Sequence, residues 1–88
     1  MKVEQSNEFR RAYKKLKPNI RNDANEGIRE IIADPLIGVK KKGDLGYLRV
    51  HKIKAQDQTF LIGYILGAET IILHTIGPHE NFYRDLKK

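Results

Sequence analysis

Residues 46–76 read GYLRVHKIKAQDQTFLIGYILGAETIILHTI, and their periodicity decides the fold class. Residues 46–54, GYLRVHKIK, are rich in β-branched and aromatic side chains and predict a strand. Asp57 and its polar neighbours mark a turn. Residues 59–66, TFLIGYIL, form an almost continuous apolar run that is too short for a helix of that character. Such a run predicts a central strand covered on both faces. Gly67-Ala68 predicts a tight turn, and residues 69–76, ETIILHTI, predict a third strand. Short links between successive strands make an antiparallel meander.

Upstream the period is helical. Phe9, Ala12, Tyr13 and Leu16 recur at i, i+3, i+4 and i+7, one apolar stripe of a helix. Ser6 or Asn7 is the expected N-cap. Lys17-Pro18 ends this helix, and Pro18 suits the first turn of the next. Ile20, Ala24, Ile28, Ile31 and Ile32 make a second stripe, which Asp34-Pro35 stops. So short a link predicts a helical hairpin, packed by its stripes on one face of the sheet. Residues 2–5 allow a short N-terminal edge strand. Pro78 is placed to open a short C-terminal helix or ordered tail, PHENFYRDLKK. The expectation is an α+β fold, a helical hairpin on an antiparallel sheet, in one domain over residues 1–88.

The chain of 88 residues has no cysteine, which excludes disulfides and thiolate metal sites. MKVEQSNEFRR has no apolar run and does not read as a signal peptide. No stretch approaches the roughly 18 apolar residues of a membrane span. A soluble cytoplasmic protein with no membrane partner is the expectation. The net charge is +6, and its distribution carries more than its size. Lys2, Arg10, Arg11, Lys14, Lys15 and Lys17 stand against Glu4 and Glu8. Lys40, Lys41, Lys42, Arg49, Lys52 and Lys54 stand against Asp44 alone. Two basic blocks point to a polyanionic target, nucleic acid or an acidic protein; the bland alternative is solubility.

Histidine alone titrates near neutral pH without help, and there are three. His74, between Leu73 and Thr75, reads as a packed strand residue. His79 follows Gly77-Pro78 at a strand exit, where a rigid scaffold can present it to solvent. His51 lies among Arg49, Lys52 and Lys54. Alternation puts Lys52 and Lys54 on one strand face and Ile53 on the other. Leu48 and Val50 share the parity of the lysines, a conflict that a bulge near His51 would resolve. Lysines on a strand suit phosphate binding; solvated lysines on a half-exposed strand are the plain alternative. Phe82 reads as core. Tyr83 either stacks on a base or packs. No His/Asp/Glu cluster has metal-ligand spacing, there is no Gly-rich phosphate loop, and Ser6 is the only serine. An enzyme built from these residues would use general acid–base chemistry with cationic stabilisation and no cofactor. RNA hydrolysis fits, because the substrate supplies its own nucleophile, the 2′-hydroxyl.

The helical hairpin, the basic strand YLRVHKIK, the apolar strand reaching GY and the C-terminal GPHENFYRDLK together resemble the RelE/ParE toxin superfamily of type II toxin–antitoxin systems. The resemblance covers nearly the whole chain; its most specific parts are residues 47–54 and 77–87. It implies one of two activities: ribosome-dependent cleavage of mRNA, or poisoning of DNA gyrase without catalysis. Lys52 and Lys54 match the family's basic pair, which contacts phosphate and supplies a base. His79 matches the position of an arginine or histidine after the last strand. Tyr83 matches, at shorter spacing, a tyrosine that stacks on a base. Arg49, His51, Arg84, Lys40, Lys41 and Lys42 are the further RNA contacts expected. One departure stands out: where ribonuclease members carry an arginine in the next strand, this chain has Leu61, and Arg49 or Arg84 would have to substitute. The partner implied is an acidic antitoxin whose disordered segment folds across the basic surface. A module whose charge merely holds an acidic partner is the third reading.

Overall fold

Ser6 turns the chain from strand to helix. Its Oγ accepts from the Phe9 N–H at 3.0 Å and donates to the His74 carbonyl at 2.6 Å. One side chain thus caps a helix and ties it to the sheet. The structure, a computed structural model, describes residues 1–86; Lys87, which closes the C-terminal motif, lies outside the described residues. In chain order the elements are β1 (Lys2–Gln5), α1 (Asn7–Lys14), α2 (Pro18–Ala33), β2 (Val39–Lys40), β3 (Arg49–Ala55), β4 (Gln58–Leu66), β5 (Thr70–Pro78) and α3 (His79–Leu86), with a 3-10 turn at Gly43–Leu45.

The sheet order is β1-β5-β4-β3-β2. The meander β3-β4-β5 is antiparallel as expected, and β4 is central. Gln56 and Asp57, both at positive φ, form a two-residue hairpin turn between β3 and β4. The sheet is nevertheless mixed rather than antiparallel throughout, because β1 pairs parallel with β5. The helical hairpin carries the chain from β1 at one edge to β2 at the other, and the returning strands bring β5 alongside β1. The two-residue β2, paired with Arg49 and Val50, was not expected.

Both faces of the sheet are covered. On one, the α1 and α2 stripes pack on Ile53, Ala55, Phe60, Ile62, Tyr64, Ile71, Leu73 and Ile76. Ile32 is the exception in its stripe, 46% exposed. On the other face, Leu48, Val50 and Leu61 are buried with Phe82 of α3. This second core answers the parity conflict in β3. Leu48 and Val50 face α3, and β3 pairs with β4 in unbroken register from Arg49 to Ala55, so the bulge expected near His51 is absent. The irregularity sits instead across β4 and β5, where Gly63 pairs with Thr75 and Tyr64 with Leu73, leaving His74 unpaired. The extra residue shifts the alternation of β5. Ile76 joins Ile71 and Leu73 under the helices, and Gly77 turns to the α3 face.

Gly27 sets how closely α2 approaches the sheet. A Cβ there would lie 2.6 Å from Ile53 Cγ2 and 3.0 Å from Ile62 Cδ1. Replacing glycine by alanine favours a helix by about 1 kcal/mol, while overpacking a dry interface costs about 1–3 kcal/mol. Gly27→Ala is therefore expected to lower the unfolding free energy, by roughly 1 kcal/mol or more in urea titration; a more stable variant would refute this account of the α2 interface.

Candidate functional site

Lys52, Leu61 and Gly77 lie on one rung across β3, β4 and β5. Where α3 stops covering that face, an open hollow of about 500 Å³ remains. Val50 and Leu61 form its floor, both buried. Ile37 and Val39 make an apolar wall, and Lys41, Lys52, His79 and Tyr83 supply the polar groups. The hollow therefore has an apolar base and a cationic and aromatic rim.

The rim residues are held together by ring contacts. His79 opens α3, and its ring stands edge-on to Tyr83, centroids 6.4 Å apart at 90°. Tyr83 also meets the ring of Phe82 edge-on at 5.1 Å, so a buried anchor fixes its position. Lys41 Nζ lies 5.2 Å from the Tyr83 centroid, within cation–π range. This contact bridges the chain after β2 to α3 across the hollow.

The wall depends on Tyr64. Its ring is buried between the sheet and the loop after α2. Its hydroxyl donates to the Pro35 carbonyl at 2.7 Å and accepts from the Gly38 N–H at 2.9 Å. Arg49 Nη1 donates to the Gly38 carbonyl at 2.8 Å. A side chain at Gly38 would meet the Tyr64 hydroxyl at 2.6 Å. These bonds fix the segment that carries Ile37, Val39 and Lys41. Burial raises the Tyr64 pKa above its ordinary value; the Gly38 N–H and Arg49 oppose the rise and Asp34 adds to it.

Of the residues expected at the site, Lys52, His79, Tyr83 and Lys41 share the hollow. Lys54 is exposed one pair further along, opposite Thr59, on the same face as Lys52 by alternation. His51 borders the hollow, but its Nε2 is 3.0 Å from Glu30 Oε1 of α2, so its imidazole is engaged on the helix side. Arg49 is committed to the Gly38 carbonyl. Arg84 is exposed, bonded to Asn81 and paired with Asp85, and neither it nor Lys40 nor Lys42 lines the hollow. His74 packs edge-on against Tyr47. The apolar wall and the Glu30 partner were missed. Leu36 to Val39 carry no strand period, and the Glu30–His51 contact spans 21 residues of sequence.

A profile of the family described as ParE-like toxin of type II bacterial toxin-antitoxin system matches residues 3–87. Among curated proteins no sequence matches. Among solved structures, RelE in the intact E. coli RelBE toxin–antitoxin complex superposes with a TM-score of 0.69 at 17% identity, covering 86% of this chain and 93% of that one. The isolated E. coli RelE toxin gives 0.69 at 16%, covering 98% and 95%. The RelB–RelE complex of Methanococcus jannaschii gives 0.61 at 22%, covering 94% and 98%. At these identities the likeness is one of fold.

Tyr64→Phe removes both hydroxyl bonds and strands the Gly38 N–H in a buried position, a loss of about 1–3 kcal/mol. The wild-type phenol holds its proton more tightly folded than unfolded. Its contribution is thus complete below the ordinary tyrosine pKa of 10.0 and declines as pH rises through the higher folded value. Denaturant titrations from neutral to strongly alkaline pH are expected to show a steeper alkaline loss for wild type than for Tyr64→Phe; parallel curves would contradict this.

Proposed function

We propose, for a chain that belongs to the ParE-like toxins of type II bacterial toxin–antitoxin systems, a ribosome-dependent cut in mRNA as the toxic act. The observation that carries the reading is the convergence of Lys52, His79 and Tyr83 on one open hollow. A phosphodiester at the rim meets the Lys52 ammonium, with Lys54 beyond it, and the Tyr83 ring offers a face for a base. The 2′-oxygen attacks phosphorus and the bond to the 5′-oxygen breaks, leaving a cyclic phosphate and a 5′-hydroxyl. The 2′-hydroxyl proton passes to a base, and the leaving oxygen takes a proton from an acid. His79 serves one of these transfers and the lysine pair the other, while the ammonium charges stabilise the phosphorane. No step calls for a metal or cofactor.

Leu61 favours a second reading. It occupies the floor where a cation would act most strongly on the phosphorane, and one missing donor of this kind costs about two to three orders of magnitude in rate. The same hollow, apolar beneath and cationic at the rim, would then serve a non-catalytic contact with DNA gyrase. In both readings an acidic antitoxin covers the basic face, as RelB-type antitoxins accompany RelE in the solved complexes, and the cell interior is the site of action.

His79→Ala is expected to keep the fold and to slow mRNA cleavage on programmed ribosomes by about 100-fold or more. Lys52→Ala combined with Lys54→Ala should abolish growth arrest. If both variants stay fully toxic, the nuclease reading fails. Inhibition of gyrase supercoiling by wild type, with early translation intact, would put the second reading in its place.

A further inference from the structure

The N-terminal basic block lies on α1, which covers the sheet face opposite to that covered by α3. At 100° per residue, Arg10, Lys14, Arg11 and Lys15 fall within an arc of about 140° on α1 and its C-cap, opposite the buried stripe of Phe9, Ala12, Tyr13 and Leu16. All four are exposed. Among the described residues none of them is in an ion pair; the pairs are Arg29–Glu26, His51–Glu30 and Arg84–Asp85. Arg10 and Lys14, and Arg11 and Lys15, are like charges at i and i+4, a spacing that destabilises a helix. Glu8 on the same helix, Glu4 of β1 beside Arg10 and Asp85 across the cleft beside Arg11 and Lys15 are the facing carboxylates, and they leave the four cations in excess. Fold stability does not account for this arrangement.

We infer that the outward face of α1 is a second RNA-binding surface, which grips the phosphodiester backbone of a double-stranded segment without reading its sequence. The chemistry of the face selects this occupant. Protein interfaces centre on apolar and aromatic side chains, yet none of the exposed large hydrophobic residues lies on α1. Base recognition in single strands needs exposed rings for stacking, yet Phe9 is buried and the Tyr13 hydroxyl is bonded to Asn25 at 2.7 Å. Cations alone are what a phosphate backbone requires. The hollow opens on the α3 face, and α1 covers the opposite one. An RNA strand seated in the hollow therefore leaves the α1 face to a second segment. That this segment is ribosomal rests on the nuclease reading; the binding itself does not.

The test uses the full chain carrying Arg10→Gln, Arg11→Gln, Lys14→Gln and Lys15→Gln, with a short RNA duplex and purified ribosomes as probes. Glutamine keeps the helix propensity of the residues it replaces, and circular dichroism checks the fold. Affinity for both probes is expected to fall at least about ten-fold near physiological salt. The dependence of log K on log salt should become shallower by about one per lost phosphate contact. Arg29→Gln, which removes an exposed α2 charge already paired with Glu26, should leave duplex binding within about two-fold. Should the fourfold variant unfold, Lys14→Gln with Lys15→Gln alone is expected to give about half the change in salt slope. Unchanged affinity and slope would overturn the inference, as would an equal loss of affinity for the acidic antitoxin. Its failure is separable from that of the nuclease reading: in the one case the α1 variant binds ribosomes as wild type does, in the other ribosomes are bound and mRNA stays whole.

Discussion

β4 has no solvent face, and that constraint organises the molecule. Phe60, Ile62 and Tyr64 on one side and Leu61 on the other are all essentially inaccessible. A sheet whose central strand is dry on both sides must be covered twice. The helical hairpin does this broadly on one face. On the other, the cover is the eight-residue α3, too short to persist as a helix by itself, anchored by Phe82 against Leu48, Val50 and Leu61. Burying that ring contributes roughly 2–3 kcal/mol at most. The second face is thus closed by a small lid on a small core, and the hollow is where the lid ends. Lys52 and His79 stand at the boundary between dry sheet and water. A site on packed strands, with an opening fixed by α3, needs no long loop to build it.

Much of this was legible in the chain, because β4 announces itself. An eight-residue apolar run leaves no choice but a doubly covered strand, and the 3.6-residue stripes of the hairpin supply one cover. The second cover was read as a short helix or ordered tail with Phe82 as core, but not as the lid of a second core on the far face of the sheet. That gap misled the reading of β3. Leu48 and Val50 share the parity of Lys52, and without a second core they demanded a bulge. The actual bulge, at His74, follows from how β5 pairs with β4, and a strand's own residues do not encode its partner's register. Sequence proximity grouped His51 and Arg49 with the lysines. Alternation separates them: His51 meets Glu30 of α2, and Arg49 holds the Gly38 carbonyl. Proximity in sequence is a poor guide to a shared face wherever the side-chain period is two.

The wall of the hollow shows how far a core residue can reach into a surface site. Tyr64 is as buried as any side chain in the molecule, yet its hydroxyl fixes the backbone at Pro35 and Gly38, which positions Ile37, Val39 and Lys41. The polar tip of a buried tyrosine must find partners. Here it finds them in a loop that has no regular structure of its own. The cation–π contact of Lys41 with Tyr83 continues the link to α3, so loop, strand and lid meet around one opening.

The electrostatics of that opening argue for a large partner. Lys52 is exposed, and a charge on the surface acts on a bound phosphate through water and salt. Leu61 at the floor excludes water from below but contributes no charge. A phosphate at the rim of the free protein therefore stays hydrated, and the ammonium and imidazole groups act on it weakly. Covering the hollow from above changes this. Once water is displaced on the open side as well as from the apolar floor, the same charges act in a lower dielectric and on a fixed target. On the proposed reading, a small basic domain of this construction is inert toward RNA that it meets alone and acts on RNA presented by a body large enough to close the site. Dependence on the ribosome then follows from the open geometry of the hollow together with the apolar residue at its base.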